Sequence, residues 1–136
     1  MLSMYPACFF KEKEGGYSVI FPILDIATCG ETFDEAMEMA IDLLAGFLHD
    51  LKLEKKDLPK APEIEKINPN SIYSEYESVL VNMVTVDVEE YAKKHFEKSV
   101  KKTLTIPSWL NEKAIENNIN FSAVLREALE NRLNIN

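Results

Sequence analysis

The sequence predicts an α+β chain in two parts: a β-β-β-α-β-α domain over residues 1–98 and a β-α-α tail over residues 99–136 that dimerises. Three observations lead there. Short apolar runs of period two open the chain, and a long stretch after Thr32 repeats its apolar residues at three and four. Charge is also divided unevenly. Residues 1–98 hold 10 basic and 19 acidic side chains, net −9, and residues 99–136 hold 5 and 4, net +1, within a whole-chain charge of −8. Such asymmetry points to two surfaces with different partners, one of them basic.

Met4 to Lys13 predicts the first strand, with Tyr5, Ala7 and Phe9 on one face and Cys8 and Phe10 on the other. Gly15-Gly16 tolerates the positive φ angles of a tight hairpin, and Tyr17 to Phe21 returns as the second strand. Beyond Pro22, Asp25 to Gly30 is short enough for a third strand, with Gly30 placed to change direction. Thr32, Phe33, Asp34 and Glu35 form a capping box, in which hydroxyl and carboxylate each take a backbone amide left unpaired at a helix start. The helix that follows carries Phe33, Met37, Ala40, Leu44, Phe47, Leu48 and Leu51 in one stripe, expected to cover the sheet, while Glu35, Glu38, Asp42 and Asp50 fall largely elsewhere.

Between Leu53 and Glu77 the periodicity fades, and Pro59, Pro62 and Pro69 mark an extended excursion. Val79 to Val86 is apolar at nearly every position, as expected of a strand covered on both faces that returns to the same sheet. Asp87 and Glu90 suit the start of a short helix, with Val88, Tyr91, Ala92, His95 and Phe96 on one face and an end near Lys98, Lys101 and Lys102.

In the tail, Thr103, Leu104, Thr105 and Ile106 alternate polar and apolar, and Pro107 stands where a helix begins. Ser108 to about Asn117 and Phe121 to Leu133 are amphipathic helices joined by the turn Asn117-Asn118-Ile119-Asn120. A lone strand with two short helices cannot bury its apolar face, and an unpaired edge invites a mate. A twofold partner answers both needs: the two strands form an antiparallel ribbon, with Leu104, Ile106, Trp109, Leu125 and Leu129 in the dimer core. The ribbon then presents Lys101, Thr103 and Thr105, which fit contacts to base edges in the major groove. The amides near Asn120, Phe121 and Ser122, at the start of the second helix, suit a DNA phosphate. The same alternation also fits the outer face of any half-exposed strand.

Other chemistries find little to stand on. No apolar run approaches the roughly 18 residues of a membrane span, so a cytoplasmic protein without membrane contact is expected. Cys8 and Cys29 lack metal or disulfide spacing and read as small buried thiols. His49 and His95 are isolated and read as partly buried. Two-metal hydrolysis needs several converging carboxylates, and the strands offer little beyond Asp25. No catalytic residue, metal ligand or cofactor is therefore expected.

The string from Lys102 to Leu129, KTLTIPSWLNEKAIENNINFSAVLREAL, resembles the ribbon-helix-helix tail of one branch of HicB antitoxins. Tyr5-Pro6, Gly16-Tyr17, Phe21-Pro22 and the stretch from Thr28 to Ala36 resemble the same family's N-terminal domain. The family pattern usually has Asp after the strand-end Pro and Gln before the Gly, where this chain has Ile23 and Cys29. The resemblance implies a partly degraded ribonuclease-H-like domain without nuclease activity. It also implies a partner, a small basic HicA-type toxin that cleaves RNA, and repression of the operon through operator DNA by a homodimer or a tetramer of paired dimers. An acidic front domain suits such a toxin. The alternative is a ribbon-helix-helix regulator whose front domain senses a small ligand.

Overall fold

The computed structural model describes residues 1–97 and 99–135; Lys98, expected near the end of the second helix, lies outside them. The chain divides into two compact units, Met1–Lys98 and Ser99–Asn136.

The first unit runs β1 (Leu2–Lys11), β2 (Tyr17–Phe21), β3 (Ile26–Gly30), α1 (Phe33–Leu53), β4 (Ser78–Asp87) and α2 (Val88–His95), the β-β-β-α-β-α order expected. The strands form one antiparallel sheet in the order β3-β2-β1-β4. Gly15 and Gly16 turn the first hairpin at φ 103° and 78°, values that bulkier residues rarely adopt. β4 pairs with β1 along its whole length, from Leu2 opposite Asp87 to Lys11 opposite Ser78. β2 pairs with β1 only from Cys8 to Lys11. Pro6 therefore sits in the half of β1 that is free on its β2 side, where a missing N–H breaks no ladder.

One sheet face carries the main core. Tyr5, Phe9, Val19, Phe21, Val84 and Val86 meet Ala36, Ala40, Leu44 and Leu48 of α1, with Val88 of α2 adding to the cluster. Each large apolar side chain fully buried here contributes about 1.5–3 kcal/mol. The stripe of α1 is as expected but centred on Ala36, Ala40, Leu44 and Leu48, with Phe33, Met37, Phe47 and Leu51 half-buried along its flanks. Gly30 has a specific reason to lack a side chain. A methyl group at Gly30 would fall 2.4 Å from the Ala36 amide nitrogen, so the last residue of β3 and the first turn of α1 touch backbone to backbone. Gly30 is thus required for close approach as well as for a change of direction.

The capping box forms with a shift of one residue. Thr32 Oγ1 accepts from the Glu35 amide at 3.1 Å, while the Glu35 carboxylate takes the Glu31 amide, at 3.4 Å, in place of the Thr32 amide. α1 ends on Lys55 at φ 57°, where the Lys56 amide donates to Leu51 and the Lys55 amide to Lys52, closing the last carbonyls.

Around Phe10 the opposite sheet face is covered by the proline-containing segment between α1 and β4. Phe10 meets Tyr73 edge-on at 5.2 Å and Tyr76 at 5.1 Å, and the Tyr73 hydroxyl donates to Glu12 at 2.8 Å. At its near end the segment is tied down by Tyr5, whose hydroxyl donates to the Pro59 carbonyl at 2.5 Å. The excursion is therefore a packed cover.

Three expectations are corrected. β4 is an edge strand and is not covered on both faces along its length: Leu80, Asn82 and Thr85 are exposed, and full burial is confined to Val84 and Val86, which pack into the cluster with α1. Cys8 is buried but Cys29 is exposed, because the segment that covers Phe10 leaves the β3 end of that face open. His95 is exposed, its ring stacked on Tyr91 at 4.1 Å, whereas His49 is half-buried against Phe96.

The second unit holds α3 (Ser108–Glu116) and α4 (Phe121–Arg132). Thr103 to Ile106 joins no ladder within the chain, since no described residue offers it a strand to pair with.

Candidate functional site

In the second unit, local sequence sets where two short helices begin and end. α3 starts after Pro107, whose ring holds φ at −58°. It ends on Asn118 at φ 53°, with the Asn118 amide donating to Ile115 at 3.1 Å and the Ile119 amide to Ala114 at 3.0 Å. Asn is among the few residues that accept this left-handed position readily. Asn120 then caps α4, its side-chain oxygen accepting from the Ala123 amide at 3.0 Å. Ile119 and Val124 stand in the staple positions on either side of that cap. Arg126 and Glu130 form an ion pair one turn apart on α4, at 2.8 Å.

These two helices bury nothing. No residue of α3 or α4 is buried, although both carry apolar stripes. Leu104, Ile106, Leu110, Phe121, Val124 and Leu125 line a single groove of about 950 Å³, joined by Ile119, Ala114 and Ala128. Groups that favour leaving water are thus gathered in one groove of this unit and remain partly exposed there.

Of the side chains assigned to a dimer core, Leu104, Ile106 and Leu125 line this groove, while Trp109 and Leu129 are exposed outside its lining. Lys101, Thr103 and Thr105 are exposed on the segment that enters the groove's edge at Lys102 and Leu104. Phe121 and Ser122 stand at the first turn of α4, and among the described residues nothing accepts from their amides. Asn120 uses its side chain as the cap, so its oxygen is already occupied. Ile119 escaped sequence reading because it sits in an Asn-rich turn; the staple spacing to Val124 was the signal that marks it.

In the first unit, acidity is concentrated. Residues 14–51 hold eight acidic side chains and no Lys or Arg, which equals the whole net charge of the chain. Glu31, Asp34, Glu35, Glu38 and Asp42 are exposed along the start of α1, and Asp25 is exposed in the turn before β3. Asp25 sits there at φ 56°, and Ile23 at φ 74° is 72% exposed, an unusual position for a β-branched residue. Among the described residues no three His, Cys, Asp or Glu side chains gather as a metal-binding group.

Titratable groups report the local fold. The Glu90 amide, donating to Asp87 at the start of α2, holds that carboxyl below its ordinary range. Burial raises the Tyr91 hydroxyl, which also donates to Asp42 at 2.9 Å. Burial likewise pushes up the Cys8 thiol.

Comparison with known proteins gives matches along most of the chain. The profile described as "HicB_like antitoxin of bacterial toxin-antitoxin system" matches residues 5–132. A chain of a toxin–antitoxin complex from Streptococcus pneumoniae is 31% identical, with a TM-score of 0.61, covering 97% of this chain and 99% of that one. The antitoxin HicB of Burkholderia pseudomallei shares the fold at 20% identity and a TM-score of 0.51, covering 93% of this chain and 96% of that one. No curated protein matches significantly by sequence. No helix among the described residues is long and apolar enough to cross a membrane. A profile that runs through the sheet, the acidic helix and both tail helices leaves one assignment: the chain belongs to the HicB-like antitoxin family of bacterial toxin–antitoxin systems.

Proposed function

We propose that the chain neutralises a HicA-type, mRNA-cleaving toxin by occlusion through its first unit, and represses its own operon through a ribbon-helix-helix dimer of its second. The first unit is read as a partly degraded ribonuclease-H-like domain that performs no catalysis of its own, a reading that rests on the family match. The observation that carries the dimer is the groove of Leu104, Ile106, Leu110, Phe121, Val124 and Leu125 on helices with no buried residue. A second copy fills that groove and pairs its own Thr103–Ile106 segment as a ribbon. Lys101, Thr103 and Thr105 then face base edges, and the amides of Asn120, Phe121 and Ser122 face a phosphate.

Toxin binding draws its support from family membership and from the streptococcal relative, whose chain belongs to a toxin–antitoxin complex. The test pairs two measurements. The chain is co-expressed with the protein encoded beside it, and operator DNA is titrated with wild type and a Thr103→Ala, Thr105→Ala double variant. An inactive RNase in a stable complex and loss of sequence-specific DNA binding, with dimerisation intact, are the expected results. DNA binding that survives the double variant unchanged overturns the base-contact reading. Affinity should also fall steeply with salt, since phosphate contacts release counterions.

A further inference from the structure

We infer that the β3 edge of the sheet, with the acidic rim around it, is the surface on which this antitoxin docks a strand of its small basic toxin. This rests on the toxin reading above and adds the place of contact.

The sheet ends in two edges, and they differ. β4 lies at one end, β3 at the other. Around β4 the charges are matched: Glu77 pairs with Lys11 at 3.9 Å and Glu90 with Lys93 at 3.4 Å. On the strand itself, the Asn82 side chain turns back onto the Met83 amide at 3.0 Å. β3 has no such protection. Its five residues, Ile26 to Gly30, hold no charge and no proline. Where β4 has Asp87 paired at its end and Asn82 turned onto an edge amide, no side chain among the described residues caps an amide of β3. Beside it the lower face is open, with Ala27 and Cys29 exposed.

What surrounds β3 selects the occupant. Asp25 precedes the strand and Glu31 follows it, both exposed, and Asp34, Glu38 and Asp42 continue the rim along α1, which is held against β3 at the Gly30–Ala36 contact. Among the described residues none of these acids has an ion-pair partner. A second copy is a poor fit: antiparallel pairing of two β3 edges about Thr28 sets Asp25 of one chain opposite Glu31 of the other, and like charges across a ladder repel. A strand carrying Lys or Arg meets the same two acids as partners, and the unbalanced field of residues 14–51 draws it in.

The chain carries its own probe. Cys29 is exposed on β3 while Cys8 is buried, so a maleimide reports on this edge alone. The experiment uses the full chain with the protein encoded beside it. Expected results are a slowing of Cys29 labelling by about tenfold or more in the complex, and a rise in Kd by about tenfold or more for Glu31→Lys, Glu38→Lys. The matched reversal Glu65→Lys, Glu89→Lys, placed outside the rim, should stay within about twofold, as expected for screened charges distant from the contact. A complex that forms while Cys29 labels at its free rate overturns the inference and leaves the toxin reading standing. Protection of Cys29 with no loss on reversal of Glu31 and Glu38 also overturns it, because the rim would then select nothing. If no complex forms, both fall together.

Discussion

The two units of this chain use similar apolar content in opposite ways. In the first, Phe9, Phe10, Phe21, Leu44 and Leu48 are wholly buried by elements of the same chain. In the second, Leu104, Trp109, Val124 and Leu129 remain more than half exposed. The first unit thus holds within one chain the burial that offsets its ordering cost, whereas a pair of helices of nine and twelve residues falls at or below the length at which isolated helices persist in water. The lesson is that the first unit completes its core within one chain, whereas the second leaves its apolar face exposed, and under the proposed dimer its stability is coupled to assembly.

The largest effect expected from breaking this contrast is in the first unit. Phe21→Ala should cost about 3–5 kcal/mol, read by thermal or denaturant unfolding, with a shift independent of protein concentration. A concentration-dependent shift would contradict the division. Next, Leu125→Ala should cost about 2 kcal/mol or more of dimer stability in sedimentation, while leaving the melting of the first unit in place. If it lowers both, the units are not energetically separate.

A smaller pair of effects sharpens the contrast at matched positions. Asp87 and Asn120 cap α2 and α4 with the same backbone angles, φ −86° and ψ 102°, and accept from the third helical amide at 3.2 and 3.0 Å. Asn120→Ala should cost about 1 kcal/mol, seen as lost α4 helicity and a weaker dimer. Only Asp87 titrates. Its folded carboxyl lies below the ordinary range, so its stabilisation is complete above the unfolded pKa and disappears as pH falls through the folded one. Acid titration of the first unit should therefore lose one dependence in Asp87→Asn, and the α4 cap should show none.

Much of this was legible because it is local. Gly15-Gly16, the Thr32 to Glu35 box and the stripe through Ala40, Leu44 and Leu48 each encode their geometry within one or two turns of chain. What failed to show involves distance. Nothing periodic marks Tyr73 and Tyr76 as covers for Phe10, because their partner lies more than sixty residues away. The apolar density of Val79 to Val86 reads as burial on both faces, yet the strand order that makes β4 an edge is a property of the whole sheet. Cys29 looks like Cys8 in sequence and differs only in what lies above it. For the candidate interfaces, the run without Lys or Arg from residue 14 to 51 was readable by counting, while its convergence with a bare strand edge needed the fold.

The full-length pairing of β1 with β4 has a consequence for how the protein is made. The first residues of the chain find their ladder partners near Asp87, so the sheet cannot be completed until most of the first unit has left the ribosome. Contacts so far apart in sequence slow folding, and until β4 arrives β1 has one bare flank. The second unit follows immediately in synthesis. A chain released early, before Ser78, would carry neither a finished sheet nor a tail, and so would present quality-control proteases with an open hairpin in place of an antitoxin.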